Sequence, residues 1–189
     1  METTLVMEQR KRIHPLKFTL WVGIGSIIMM FAGLTSAYIV KRSQPNWTSF
    51  EIPAMFWYST AAIVASSLTM QLAVKAFKDR QRKNYRMLLL LTLVLGLLFV
   101  VLQWLGFKAI WNSGITFSGA GAGQFLYIIA GLHAVHVIGG VIALVVMSMK
   151  AISTVRRNYN AVPVEVMSVY WHFVDILWLY LLVFFMILS

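Results

Sequence analysis

Five ionisable residues stand where an otherwise apolar chain has little reason to keep them. His133 and His136 lie in "FLYIIAGLHAVHVIGGVIALVVMSM", and Glu165, His172 and Asp175 in "NAVPVEVMSVYWHFVDILWLYLL". On a helix, positions i and i+3 are about 60° apart, so His133 and His136 share a face. Glu165 and His172 face the same way two turns apart, and Asp175 continues that face. Three chemistries use such a set. Paired imidazoles can ligate haem or copper, with His136 and His172 as facing ligands. An intramembrane relay can carry protons or ions through His136, Asp175 and Glu165. A hydrogen-bonded cluster can lock two helices together or hold a lipid headgroup. The composition favours the third. There are only four histidines, of which His14 lies outside the apolar runs, and no cysteine, so disulfides, thiolate ligands and Cys nucleophiles are excluded.

The elements that must position these residues follow from composition. Of 189 residues, 60% are hydrophobic and 12% charged, with a mean hydropathy of +0.78. Soluble domains are about 45–50% apolar and about 25% charged, so this is an integral membrane protein. Five apolar runs are separable, at 18–40, 54–74, 87–107, 125–149 and 168–188. Each has about the 20 residues needed to cross about 30 Å of hydrocarbon as a helix. Helices are required because isolated strands leave backbone groups unpaired in lipid. The expected fold is all-α: a polytopic bundle of five transmembrane helices forming a single transmembrane domain over 1–189. The first run is too long for a signal core and has no small-residue cleavage site, so no cleavable signal peptide is expected.

The formal charge is +10, which in a soluble protein points to nucleic acid. No nucleic-acid motif is visible, and basic flanks of membrane helices account for the charge. Arg10, Lys11, Arg12, Lys17, six residues of "KAFKDRQRKNYR", Lys150, Arg156 and Arg157 fall on one side, against Lys41, Arg42 and Lys108 on the other. The positive-inside rule then sets the N-terminus inside and the C-terminus outside. Pro45, Trp47 and Pro53 suit an outer turn with an interfacial anchor, and "KAIWNSGITFSGAGAGQ" a glycine-rich outer loop. In the fourth run, Gly131, Gly139 and Gly140 flank the histidines and are expected to let a neighbouring helix approach. Trp171 and Trp178 are expected to be interface anchors. Pro163 and Glu165 suit the first turn of the fifth helix. Asp175 and His136 fall at similar depths, so a contact between the last two helices is geometrically possible.

At these residues the chain resembles cytochrome c oxidase subunit III, in its five-helix bacterial form. "AGLHAVHVIGG" resembles the family's helix with paired histidines and a following glycine. "EVMSVYWHFVDILWLYLL" resembles its last helix, including the Glu seven residues before the His. "HPLKFTLWVGIGSIIMMFAGLTSAYIV" resembles its first, and "PAMFWYSTAAIVASS" and "LQWLGFKAIWNSGITFSG" match more loosely. The likeness covers residues 14–189. Ile27 stands where the family usually carries a glutamate, six residues before the glycine matched by Gly33. The two extra N-terminal helices of the seven-helix form are not expected here.

The resemblance implies a respiratory haem–copper oxidase in a bacterial inner membrane. In it, subunit III binds no metal or cofactor of its own and is not catalytic. Haem and copper are expected in partner subunits. The chain would pack directly on subunit I, alongside subunit II and other subunits, hold structural phospholipid and support proton uptake. The polar cluster of His133, His136, Glu165, His172 and Asp175 would then make helix–helix or lipid contacts. Subunit III of a quinol oxidase, a small His/Asp proton-coupled transporter and a dihaem cytochrome are the alternatives.

Overall fold

A computed structural model describes residues 14–43, 53–114, 122–152 and 161–188. Arg10, Lys11, Arg12, Pro45, Trp47, Arg156, Arg157 and residues 115–121 lie outside the described residues. The chain forms five helices: α1 Pro15–Arg42, α2 Met55–Lys78, α3 Arg82–Asn112, α4 Ala122–Ile152 and α5 Val162–Leu188. No strand occurs among the described residues. All five helices are long and apolar enough to cross a membrane. Most run past the apolar segment that marks them. Apolarity reports only the hydrocarbon layer, whereas Arg82, Lys83, Arg86 and Lys150 are good helix formers that carry the hydrogen bonding into the polar layer.

Local chemistry sets the ends. His14 caps α1, its Nδ1 accepting from the Leu16 N–H at 3.3 Å, and Pro15 takes the first helical position, where a missing N–H costs nothing. Lys41 and Arg42 sit in the last turn of α1, where the helix dipole favours cations. α2 closes in a Schellman turn. The Gln81 N–H bonds the Ala76 carbonyl at 2.9 Å, the Arg80 N–H bonds the Phe77 carbonyl at 3.1 Å, and Arg80 takes a left-handed φ of 58°. The chain thus reverses in three residues and lays α3 along α2.

The bundle is a closed circuit. α2 packs on α3, α3 on α4, α4 on α1, and α5 packs on α1, α2 and α4. α5 buries a seam of Val164, Met167, Trp171, Val174, Trp178, Leu181 and Phe185, alternating by three and four residues as in a coiled coil. In lipid there is no hydrophobic drive between helices, so close approach and interhelical hydrogen bonds must hold them. The Trp171 indole supplies both. It is fully buried between two glycines: a Cβ at Gly96 of α3 would lie 2.9 Å from Cη2 and Cζ2, and one at Gly140 of α4 3.0 Å from Cζ3. Its Nε1 donates to Ser66 Oγ of α2 at 3.0 Å, and Ser66 Oγ in turn donates to the Thr92 carbonyl of α3 at 3.3 Å. One side chain therefore touches three other helices. Phe56 of α2 lies likewise over Gly106 of α3, 2.7 Å from a built Cβ.

Two sequence expectations are corrected here. Trp171 and Trp178 are not interface anchors: they are 0% and 2% exposed and donate into the core, Trp178 Nε1 to Thr60 Oγ1 at 3.0 Å. Gly131 and Gly139 do not serve packing within the chain. A Cβ at Gly131 meets nothing within 4 Å, and one at Gly139 only the Tyr170 hydroxyl at 3.9 Å. Nine residues, about 180° of helix, separate Gly131 from Gly140, so the glycines cannot serve one face.

The Trp171 ring is rigid and enclosed, so it cannot yield to a new methyl group. Gly96→Ala should destabilise the bundle by about 1–3 kcal/mol, the usual cost of overpacking. Gly33→Ala, where a Cβ meets nothing within 4 Å, should be neutral or slightly stabilising. Denaturant titration in detergent micelles measures both, and equal behaviour of the two variants would refute the wedge.

Candidate functional site

The five ionisable residues do not form one cluster: Glu165, His136 and His172 each bond a different partner, while the polar atoms of His133 and Asp175 lack a well-formed hydrogen bond. Glu165 sits in the first turn of α5, its Oε2 2.9 Å from Lys17 Nζ of α1 and its Oε1 3.0 Å from Lys78 Nζ of α2. These part-exposed pairs contribute little each, but they fix three helix ends in one place. Arg86 does the same for α3 and α4, its Nε donating to the Ala151 carbonyl at the end of α4 at 2.6 Å. The start of α1, the end of α2, the start of α3, the end of α4 and the start of α5 therefore share one end of the bundle.

Deeper, His172 faces α2, its Nδ1 2.5 Å from Ser67 Oγ. His136 faces α1: its Nδ1 bonds the Leu132 carbonyl of its own helix at 2.7 Å, and its ring meets Phe31 edge-on at 5.9 Å. The contact between α4 and α5 at this level is made by Tyr170, whose hydroxyl donates to the His136 carbonyl at 2.9 Å. No ion pair or hydrogen bond joins Asp175 to His136 or His172 among the described residues. Asp175 is 4% exposed, with neither carboxylate oxygen in a well-formed hydrogen bond; the Ser67 hydroxyl lies beside it but is engaged by His172.

His133 is 1% exposed and walled by rings. It stacks on Trp178 with centroids 5.4 Å apart, and Phe31 and Phe99 meet it edge-on at 6.4 Å. Neither of its nitrogens has a partner. It behaves as an aromatic packing element whose polar atoms carry a desolvation cost.

This arrangement does not fit a redox group. His136 and His172 look toward different helices, so they are not a pair of axial ligands. Among the described residues no three His, Cys, Asp or Glu side chains are grouped to hold a metal ion. Nor does a hydrogen-bonded chain join Glu165, Asp175 and His136 among those residues. What the site does chemically is join helices, through partners the sequence reading passed over: Ser66, Ser67, Thr60, Lys17, Lys78 and Tyr170. The signal for three of these was present. Small hydroxyl residues in an apolar run, as in "STAAIVASSLT", are the usual donors and acceptors between membrane helices.

The fold and its core define a polytopic membrane protein whose intramembrane polar residues mostly serve helix packing. A family model described as cytochrome c oxidase subunit III matches residues 9–189. A probable cytochrome c oxidase subunit 3 from Nocardia farcinica is 34% identical over 185 residues, covering 89% of this chain and 89% of that protein. The probable subunit 3 of Mycobacterium bovis is 30% identical over 179 residues, covering 89% and 88%. A cytochrome c oxidase subunit 3 from a Bacillus species is 26% identical over 166 residues, covering 85% and 80%. The chain belongs to the cytochrome c oxidase subunit III family. As a member of it, the protein is a multi-pass membrane component of a complex with other oxidase subunits.

The hydrogen bond between Ser67 and His172 should register as a coupling between α2 and α5. A double-mutant cycle of Ser67→Ala and His172→Ala is expected to give about 0.6 kcal/mol, and at most about 1.7 kcal/mol. Additive effects of the two substitutions would show that the contact is not formed.

Proposed function

We propose that this chain is the non-redox core subunit III of a haem–copper terminal oxidase in a bacterial cell membrane. It packs directly on subunit I, which with subunit II holds the haem and copper, and it stabilises that subunit during aerobic electron transport. It holds structural phospholipid and supports proton uptake. The observation that carries this reading is the position of the family's signature helix. "EVMSVYWHFVDILWLYLL" lies in α5, which packs on α1, α2 and α4 and reaches α3 through Trp171, and His172 and Glu165 within it are occupied by partners in this chain. Its conspicuous residues are spent on assembling a rigid body, as suits a supporting subunit. Exposed apolar residues along α1, such as Trp21 at 63% and Met29 at 78%, leave a broad surface for lipid and for neighbouring subunits. The names of the relatives favour cytochrome c over a quinol as electron donor.

The shared end of the bundle carries Lys17, Lys75, Lys78, Arg82, Lys83, Arg86 and Lys150, which supports an orientation with that end in the cytoplasm. On this natural Cys-free background, Lys83→Cys should resist an impermeant thiol reagent added to intact spheroplasts and react after lysis. Labelling before lysis would reverse the orientation.

Affinity purification of the tagged chain from its native membrane in mild detergent should bring down a complex with haem and copper spectra. The chain expressed alone should show no Soret band. Recovery of the native chain without oxidase subunits would overturn the proposal.

A further inference from the structure

A groove of about 520 Å³ runs between α3 and α4 at the end of the bundle away from the Glu165 ion pairs. Trp104, Phe107 and Trp111 of α3 form one wall, Tyr127 of α4 the other, and Gly131 the floor. The Tyr127 ring lies 6.0 Å from both Phe107 and Trp111, so this wall is braced. Trp104 and Trp111 are 72% and 52% exposed, so the groove opens on the membrane-facing surface. Lys108 is its one charged lining residue.

The groove is graded along the helix axis. Lys108 lies one turn from the end of α3 at Asn112, about 6 Å of rise, where a lysine side chain reaches the headgroup layer. Trp104 on α3 and Gly131 on α4 each lie about one turn deeper than Lys108 and Tyr127. The site thus offers a single cation at the polar end and an apolar trough below it. A volume in the range of about 300–1,000 Å³ is that of a pocket for one small molecule.

From this gradient we infer that the α3–α4 groove binds one anionic phospholipid, its phosphate on Lys108 and an acyl chain over Gly131. The inference deepens the lipid-holding part of the proposed function and rests on it. The charge matches, and a lipid standing along the membrane normal has the same order of polar and apolar parts. A transmembrane helix of another subunit fits less well, because close helix approach needs small residues on both faces, whereas Trp104 and Trp111 stand out at this rim and Lys108 comes between them along α3. Gly131 acquires a use on this account: its missing side chain serves no contact within the chain but leaves the trough open.

The test uses the purified oxidase complex in nanodiscs containing phosphatidylglycerol with a photoreactive acyl chain, and a matched phosphatidylcholine probe. Acyl labelling should map to 104–111 and 127–134. Gly131→Leu, whose Cβ meets nothing within 4 Å and whose side chain then occupies the trough, should abolish it. Lys108→Gln should lower the preference for phosphatidylglycerol over phosphatidylcholine about fivefold, the factor expected for one lysine near a bilayer surface, while assembly is unchanged. Should Gly131→Leu fail to assemble, the Lys108→Gln arm decides alone. Equal labelling of wild type and Gly131→Leu, an unchanged headgroup preference in Lys108→Gln, or cross-linking of the groove to another polypeptide would each overturn the site. Lipid phosphorus in the delipidated complex separates the two levels. Tightly held phospholipid without groove labelling removes this site only, whereas none held at all removes the lipid role.

Discussion

The bundle depends on one indole. Trp171 occupies space that two helices vacate by carrying glycine at positions 96 and 140, and it hydrogen-bonds a third helix through Ser66. A membrane interior supplies no general drive to bring helices together, so geometry of this kind must do what apolar burial does in water. A smaller residue at 171 leaves a cavity among α2, α3 and α4, and a larger one at 96 or 140 forces them apart. The remaining contacts of α5, from the Ser67–His172 bond to the Trp178 ring stack, register against that fixed point.

The polar residues are graded by depth, and their energetics differ accordingly. At the charged end, Glu165 is shared between Lys17 and Lys78 where water and salt still reach, so the pairs align helix ends more than they stabilise them. In the interior, the bonds run among hydroxyl, indole, imidazole and backbone carbonyl groups, none of which needs a charged partner. His133 and Asp175 depart from this economy: both are buried with unfilled polar valences. Aromatic rings compensate His133 through stacking; beside Asp175 stands the Ser67 hydroxyl, which it shares with His172.

The five spans were legible because each needs about 20 apolar residues, a pattern too long to arise from a soluble core. Their ends were less so: α5 begins at Val162, six residues before its apolar run, since Pro163 and Glu165 suit a first turn yet read as polar. Tryptophan proved ambiguous. Its amphipathic ring suits an interface as well as a core, and only the facing Ser66 and Thr60 decide for Trp171 and Trp178. The three-four spacing from Val164 to Phe185 carried that information, because it puts both indoles on the buried seam. Ser67 was invisible as the partner of His172, since 105 residues separate them in the chain.

The circuit of contacts also orders the protein's biosynthesis. α2 and α3 are joined by a three-residue turn and pair with each other as soon as both leave the ribosome. Among the described residues α1, made first, packs only on α4 and α5, and its ion pair to Glu165 spans 148 residues of sequence. The oldest helix therefore waits in the bilayer, held by lipid alone, until α4 is translated, and it gains its second neighbour only with α5. A polypeptide that stops short of α5 keeps the contacts of α2 with α3, α3 with α4 and α4 with α1, but it cannot close the ring.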